Sequence, residues 1–206
     1  MRRILLVRHG ESEHHVRGMT GGWTDLPLTK LGTEQALRTA ERVHQLVANG
    51  GAAVFASDLL RALMTAAPIC RLLGVALNPV PELREFNNGV ASGLSLSAAK
   101  AIELPLAGDP IDWQPYPEAE TWRTMTARIT SAMERLVPQV PEVAIIVGHG
   151  NSGIAVVRWW LGLADPDNHR ISFDLDCCSI TDLYENEWGE RTIRRLNDIA
   201  HLQAGS

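Results

Sequence analysis

Two short apolar runs constrain this chain more than any other feature, because each ends on a histidine followed by glycine. Ile4-Leu5-Leu6-Val7 leads into Arg8-His9-Gly10-Glu11-Ser12, and Val143 to Val147 leads into Gly148-His149-Gly150-Asn151-Ser152. Both runs read as β-strands. In open α/β sheets ligands bind outside the carboxyl ends of the strands, so two histidines far apart in sequence are placed to meet at one site. Arg8 adds a guanidinium whose planar fork matches phosphate oxygens. The combination points to a histidine nucleophile and a phosphate.

The remaining segments alternate strand and helix, which predicts a three-layer α/β/α fold around a mostly parallel central sheet. After the strand Arg3 to Arg8 comes an irregular loop containing Gly18, Gly21 and Gly22, and then a helix from about Leu31 to near Gly50 that buries Ala36, Ala40, Val43 and Val47. Ala53 to Ala56 reads as a strand, Ser57-Asp58 as a cap, and Leu59 to Leu73 as a helix that Pro68 should kink or break. Ala76 to Val80 is a further candidate strand. Pro81 to Pro117 is mostly loop, with one helical stretch around Ser97 to Leu104, and residues 86–117 are the expected lid. Thr121 to Val137 and Asn151 to Leu161 have helical spacing. Ser179 to Glu185 and Arg191 to Leu196 form a candidate hairpin at the sheet edge.

At 206 residues, 45% hydrophobic and 21% charged, the chain suits one domain spanning 1–206. No window is long and apolar enough to span a bilayer, and the apolar run after Met1-Arg2-Arg3 is too short for a signal peptide, so a cytoplasmic protein without a membrane partner is expected. A net charge of −5 disfavours nucleic acid as a partner. Cys70, Cys177 and Cys178 offer neither a disulfide framework nor zinc spacing, and are expected to be reduced and buried. Trp159 and Trp160 either mark a homodimer interface or are buried against the sheet.

The string Leu6-Val7-Arg8-His9-Gly10-Glu11-Ser12 resembles the signature of the histidine phosphatase superfamily, the phosphoglycerate mutase-like proteins. The resemblance continues, in the family's order, through Gly22-Trp23-Thr24-Asp25-Leu26-Pro27-Leu28-Thr29-Lys30-Leu31-Gly32, Ser57-Asp58-Leu59-Leu60-Arg61-Ala62, Leu83-Arg84-Glu85 with Gly89 and Gly93, Gly148-His149-Gly150, and Ser179-Ile180-Thr181. It covers nearly the whole chain. It implies that His9 takes the phosphoryl group, that Arg8, Arg61 and His149 surround it, and that Glu85 is the proton donor.

Each role is also sound chemically. To attack, His9 must be neutral with one free ring nitrogen, the other donating to a backbone carbonyl. Two arginines supply fixed positive charge for the transferring group, so no metal or other cofactor is called for. A phosphate dianion beside a glutamic acid keeps that acid protonated near neutral pH, and after the first step the carboxylate can deprotonate water. The backbone N–H groups of Gly150, Asn151 and Ser152 open a helix and are expected to form an anion site. Ser12, Gly21 and Gly22 are expected to line the rest, with turn geometry an equal alternative for the two glycines.

Several positions depart from the family pattern. His15 stands where many members have asparagine, and it and His14 are expected to contact substrate or to be polar loop residues, since no carboxylate-histidine spacing supports a metal site. Asn88 stands where mutases carry tyrosine, and the stretch from Glu85 to Pro117 is short and acidic, with Lys100 its only basic residue outside the Arg84 block. Trp113 and Tyr116, with Trp122 just beyond, either stack on the leaving group or pack the lid onto the body. These departures favour a histidine acid-type phosphatase that hydrolyses a small phosphorylated metabolite. The alternatives are a cofactor-dependent phosphoglycerate mutase and a catalytically weak phosphate-ester-binding protein.

Overall fold

A computed structural model describes residues 3–47, 51–140, 142–163 and 171–203. Strands β1 (Arg3–Arg8), β2 (Ala52–Ala56), β3 (Leu77–Pro79), β4 (Val143–Gly148), β5 (Ile180–Glu185) and β6 (Arg191–Asp198) form one sheet in the order β3-β2-β4-β1-β5-β6. β1 pairs with β4, β4 with β2 and β2 with β3 in parallel; β5 runs antiparallel to both β1 and β6. The expected edge hairpin is therefore β5–β6. The register sets Arg8 opposite Gly148, which brings the residues after β1 and β4, His9 and His149, to the same edge.

The continuous apolar character of β1 and β4 follows from burial on both faces. All six residues of β4 are buried. Ile4, Leu6, Ala144 and Ile146 pack on one side with α5 (Trp122–Leu136) and α6 (Gly150–Trp160), through Met125, Ile129, Val157 and Trp160. Leu5, Val7, Ile145 and Val147 face the other side, against Ala40 and Val43 of α2 (Lys30–Val47) and Ala62, Ala66 and Ile69 of α3 (Leu60–Leu73). Shorter helices are α1 (Glu13–Val16), α4 (Leu96–Ala101) and α7 (Ala200–Gln203).

Four expectations change. α1 forms inside the stretch expected to be irregular, and its one turn carries His14 and His15. Pro68 does not break α3, which runs on to a left-handed Gly74. An interior proline costs about 3 kcal/mol, comparable to the burial of one or two aliphatic side chains, and α3 buries one whole face including Ile69 and Cys70. Neither Ser57 nor Asp58 caps that helix as its N-cap residue; Asp25, from a distant loop, accepts the Leu60 amide at 2.7 Å. Cys70 and Cys178 are buried but Cys177 is only partly so, and all three are free thiols.

Trp159 and Trp160 are 9% and 1% exposed, so they belong to the core and mark no interface. Tyr116 and Trp122 likewise pack against the core, and the Trp113 indole donates to the Leu104 carbonyl within the lid segment at 3.2 Å. Among the described residues no helix is long and apolar enough to cross a membrane.

Candidate active site

The loop after β1 is clamped by backbone. The His9 amide donates to the Gly148 carbonyl at 2.9 Å, and the Cys178 amide donates to the Arg8 and His9 carbonyls at 3.0 and 3.2 Å. On the other flank Gly10 and Gly32 meet so closely that a Cβ on Gly32 would fall 1.9 Å from the Glu11 carbonyl oxygen. Only glycine lets α2 approach the His9 loop this way.

His9 is buried, and its Nδ1 lies 2.7 Å from the Gly10 carbonyl, an acceptor, so Nδ1 carries the hydrogen. Its Nε2 accepts from Arg61 Nε at 3.2 Å. The tautomer is thus fixed with the lone pair on Nε2. Burial, then coupling to the His149 ring and the positive charge of Arg61 and Arg8, holds the imidazole pKa well below its ordinary value, which keeps the ring neutral and nucleophilic.

Arg61 lies in the first turn of α3 and is 1% exposed. Its two Nη atoms donate to the Thr24 and Gly22 carbonyls, each at 2.7 Å, so the loop that caps α3 through Asp25 also aims Arg61 at His9. Burial pushes its pKa down to about 10, opposed by the carboxylates of Glu85 and Asp25, and it remains cationic at neutral pH.

His149 stacks edge-on to His9 with ring centroids 5.0 Å apart. Its Nε2 lies 2.8 Å from the Ser57 hydroxyl. Ser57 also accepts the Leu59 amide, at 3.3 Å. The His149 Nδ1 is buried without a partner. Burial and Arg61 hold this ring neutral too. Arg8 donates through Nη1 to the Leu175 carbonyl, while its buried Nε has no partner.

Glu85 occupies the start of α6. Its Oε2 accepts the Asn151 amide at 3.0 Å, and its Oε1 accepts the amides of Ser152 at 3.2 Å and Phe86 at 2.7 Å. The amides expected to form an anion site at this helix start are instead taken by the Glu85 side chain. A Cβ on Gly150 would make only ordinary contact with Glu85 Oε2, at 3.6 Å, so the approach does not require glycine there.

The other expected residues divide. His15 stacks on His9 with ring planes 19° apart and centroids at 5.7 Å, and its Nε2 lies 3.4 Å from Arg8 Nη2. The Ser12 amide donates to His15 Nδ1 at 3.1 Å, and the Ser12 hydroxyl is held at 2.6 Å by His14 Nδ1, so Ser12 supports the histidines from beneath. His14 is buried and its pKa is lowered to about 3, chiefly by desolvation. Gly22 has φ +53, and a Cβ there would sit 2.7 Å from Asn88 Nδ2; Gly21 approaches the His14 ring. For both glycines close packing, with turn geometry at Gly22, accounts for the residue. Among the described residues no group of His, Cys, Asp or Glu is arranged to hold a metal.

Sequence reasoning missed three residues. Asp25 reaches across to cap α3, Trp23 donates its indole hydrogen to the Glu85 carbonyl at 2.7 Å, and Arg128 of α5 donates to the same carbonyl at 2.8 Å. Asp25 and Trp23 lay inside a matching block; Arg128 looked like any arginine on an amphipathic helix.

Residues 4–199 match the histidine phosphatase superfamily, branch 1. The chain belongs to that superfamily. It is 30% identical to the probable phosphoglycerate mutase GpmB of Escherichia coli O1:K1, an alignment covering 99% of this chain and 96% of the relative. Its fold is similar to Bacillus stearothermophilus YhfR, with a TM-score of 0.79, 24% identity and coverage of 97% and 98% of the two chains. A mycobacterial glucosyl-3-phosphoglycerate phosphatase gives a TM-score of 0.78 at 24% identity, covering 96% of this chain and 99% of that one. Membership supports phosphatase or mutase catalysis, and the likeness to these structures shows the fold.

Proposed function

We propose that the protein is a phosphomonoester hydrolase working through a phosphohistidine at His9, with no metal in the reaction. The observation that carries this is a buried His9 with its lone pair on Nε2, flanked by Arg61 Nε at 3.2 Å and by the His149 ring at 5.0 Å, while the buried Nε of the adjoining Arg8 has no partner. Buried donors are left unpaired only rarely, and one in the residue next to His9 supports a place for a phosphoryl oxygen. Arg61 and Arg8 supply the fixed positive charge. His9 Nε2 attacks phosphorus, the ester P–O bond breaks, and Glu85 gives its proton to the departing oxygen. Glu85 then takes a proton from water, whose oxygen attacks phosphorus, and the P–N bond breaks to return the electron pair to Nε2.

The similarity to a probable mutase favours a second reading, phosphoryl return to substrate. A mutase must retain an acid that carries a second anionic group. Around the lid segment, however, the cations are matched: Arg84 with Asp58, Lys100 with Glu103, Arg123 with Asp112 and Arg128 with Glu120. Among the described residues there, each cation already has a carboxylate, which supports hydrolysis of an ester with an uncharged leaving group. Purified protein given 3-phosphoglycerate and a bisphosphoglycerate primer is expected to show negligible isomerisation while releasing phosphate from p-nitrophenyl phosphate; rapid interconversion of the phosphoglycerates would replace this reading with the mutase.

A further inference from the structure

The segment that carries Glu85 has no regular ladder to hold it. It consists of a single 3-10 turn, Pro81–Leu83, followed by Arg84 in an extended conformation. Yet a general acid must be held within hydrogen-bond reach, about 2.6–3.2 Å, of the oxygen it protonates. Something outside the segment has to fix its backbone.

One side chain makes most of the contacts to its backbone carbonyls. Arg128 donates through Nη1 to the Glu82 and Arg84 carbonyls at 2.7 and 2.8 Å, and through Nη2 to the Glu85 carbonyl at 2.8 Å. The opposite side of its guanidinium is held by Glu120, with Nε to Oε2 at 3.0 Å and Nη2 to Oε1 at 2.6 Å. Glu120 in turn accepts the Asn87 amide on Oε1 at 2.8 Å and donates its own amide to the Asn87 carbonyl at 3.0 Å. Residues 82, 84, 85 and 87 are thereby tied to one Arg–Glu unit at the start of α5.

We propose that Arg128 is the positioning residue of the proton donor: it sets the backbone of Glu85 so that the carboxylate stands between the start of α6 and the phosphoryl pocket. The inference rests on Glu85 acting as the acid. Only a guanidinium suits the task, because its planar fork supplies several donors at fixed angles, whereas the lysine ammonium is a point charge on a flexible stem. The Trp23 indole is a second donor to the Glu85 carbonyl, so losing Arg128 loosens the acid without releasing it.

A purely structural arginine and a positioning one differ in their dependence on the leaving group. Arg128→Lys is expected to lower kcat on glycerol phosphate, a poor leaving group, by about tenfold or more, and on p-nitrophenyl phosphate by no more than about twofold, since proton donation matters only for the former. In a Glu85→Gln background, Arg128→Lys should add nothing on glycerol phosphate. Equal losses on the two esters, or an additive double variant, would overturn the proposal. If Glu85→Gln itself shows no dependence on leaving group, the acid assignment fails and this inference falls with it; if it does and Arg128→Lys does not, only the positioning role fails. Should Arg128→Lys not fold, Glu120→Gln decides: it keeps the acceptor for Asn87 but removes the charge behind Arg128, so a smaller loss confined to glycerol phosphate supports the role and a uniform loss refutes it.

Discussion

The phosphate end of the site and its leaving-group end are built from different material. His9 and His149 follow directly from the two central strands, and Arg61 opens a helix packed on the same sheet, so their placement inherits the rigidity of the core. Glu85 sits on an irregular segment held by side chains reaching in from α5 and the Trp23 loop and by backbone amides of α6. The first end fixes the reaction through backbone that cannot vary without disturbing the core. The second is adjustable, because its geometry depends on a few removable hydrogen bonds.

Substitutions should separate these ends in order of size. His9→Ala removes the atom that forms the intermediate and is expected to abolish hydrolysis of every ester, a loss of at least about 10⁴-fold, measured as phosphate release and as absence of an acid-labile phosphoprotein after rapid quench. A variant retaining activity would remove His9 from its role. Glu85→Gln should cost about 10²-fold or more on alkyl phosphates and far less on aryl phosphates; a flat loss would make both ends equally indispensable and erase the distinction.

The next contrast concerns the backbone. Gly22, at the phosphate end, combines φ +53 with a Cβ position 2.7 Å from Asn88 Nδ2 and 2.8 Å from the Phe86 carbonyl oxygen, whereas Gly108 in the lid segment has φ +74 and nothing within 4 Å. Gly22→Ala should therefore lose about 2–4 kcal/mol in denaturant unfolding, and Gly108→Ala only about 1 kcal/mol from the left-handed conformation alone. Similar losses would show that the lid segment is as tightly determined as the pocket.

The remaining contrast concerns pH. The imidazoles of His9, His14, His15 and His149 are all held below the ordinary value of 6.5, first by burial. Below pH 6.5 the unfolded chain takes up protons that the folded chain refuses, so stability falls as pH drops through that range, for His14 down to about 3. The melting temperature should decline steadily from pH 7 to pH 5. A flat profile would mean that the histidines of the phosphate end become charged in the folded protein.

The same division explains what could be read in advance. Strand-end histidines, the arginine that closes β1 just before His9, and the alternation of strand and helix are local patterns, and the sheet and both histidines lie where those patterns put them. Arg61 was marked by its neighbours Ser57 and Asp58, although the cap of its helix came from Asp25, whose loop conformation no periodicity encodes. Arg128 was invisible for a related reason. Its partners are backbone carbonyls of an irregular segment, which leave no trace in side-chain identity. His14 looked like a loop residue because its burial depends on Gly21 and Ser12 closing around it.

The reciprocal pair of bonds between Asn87 and Glu120 has a consequence for how such a protein can diversify. Everything from residue 88 to 119 leaves and returns through that one stem, reinforced by the Val90 amide on the Pro117 carbonyl at 3.1 Å. Chain length between two fixed points is thermodynamically cheap to change, about 0.6 kcal/mol per doubling for a flexible loop. Residues 91–96 are also bonded to Gly18, Thr20 and Thr24, so it is the part beyond Leu96 that can be lengthened, shortened or exchanged while the site beneath it stays in register, which makes it the natural place to graft a new substrate preference.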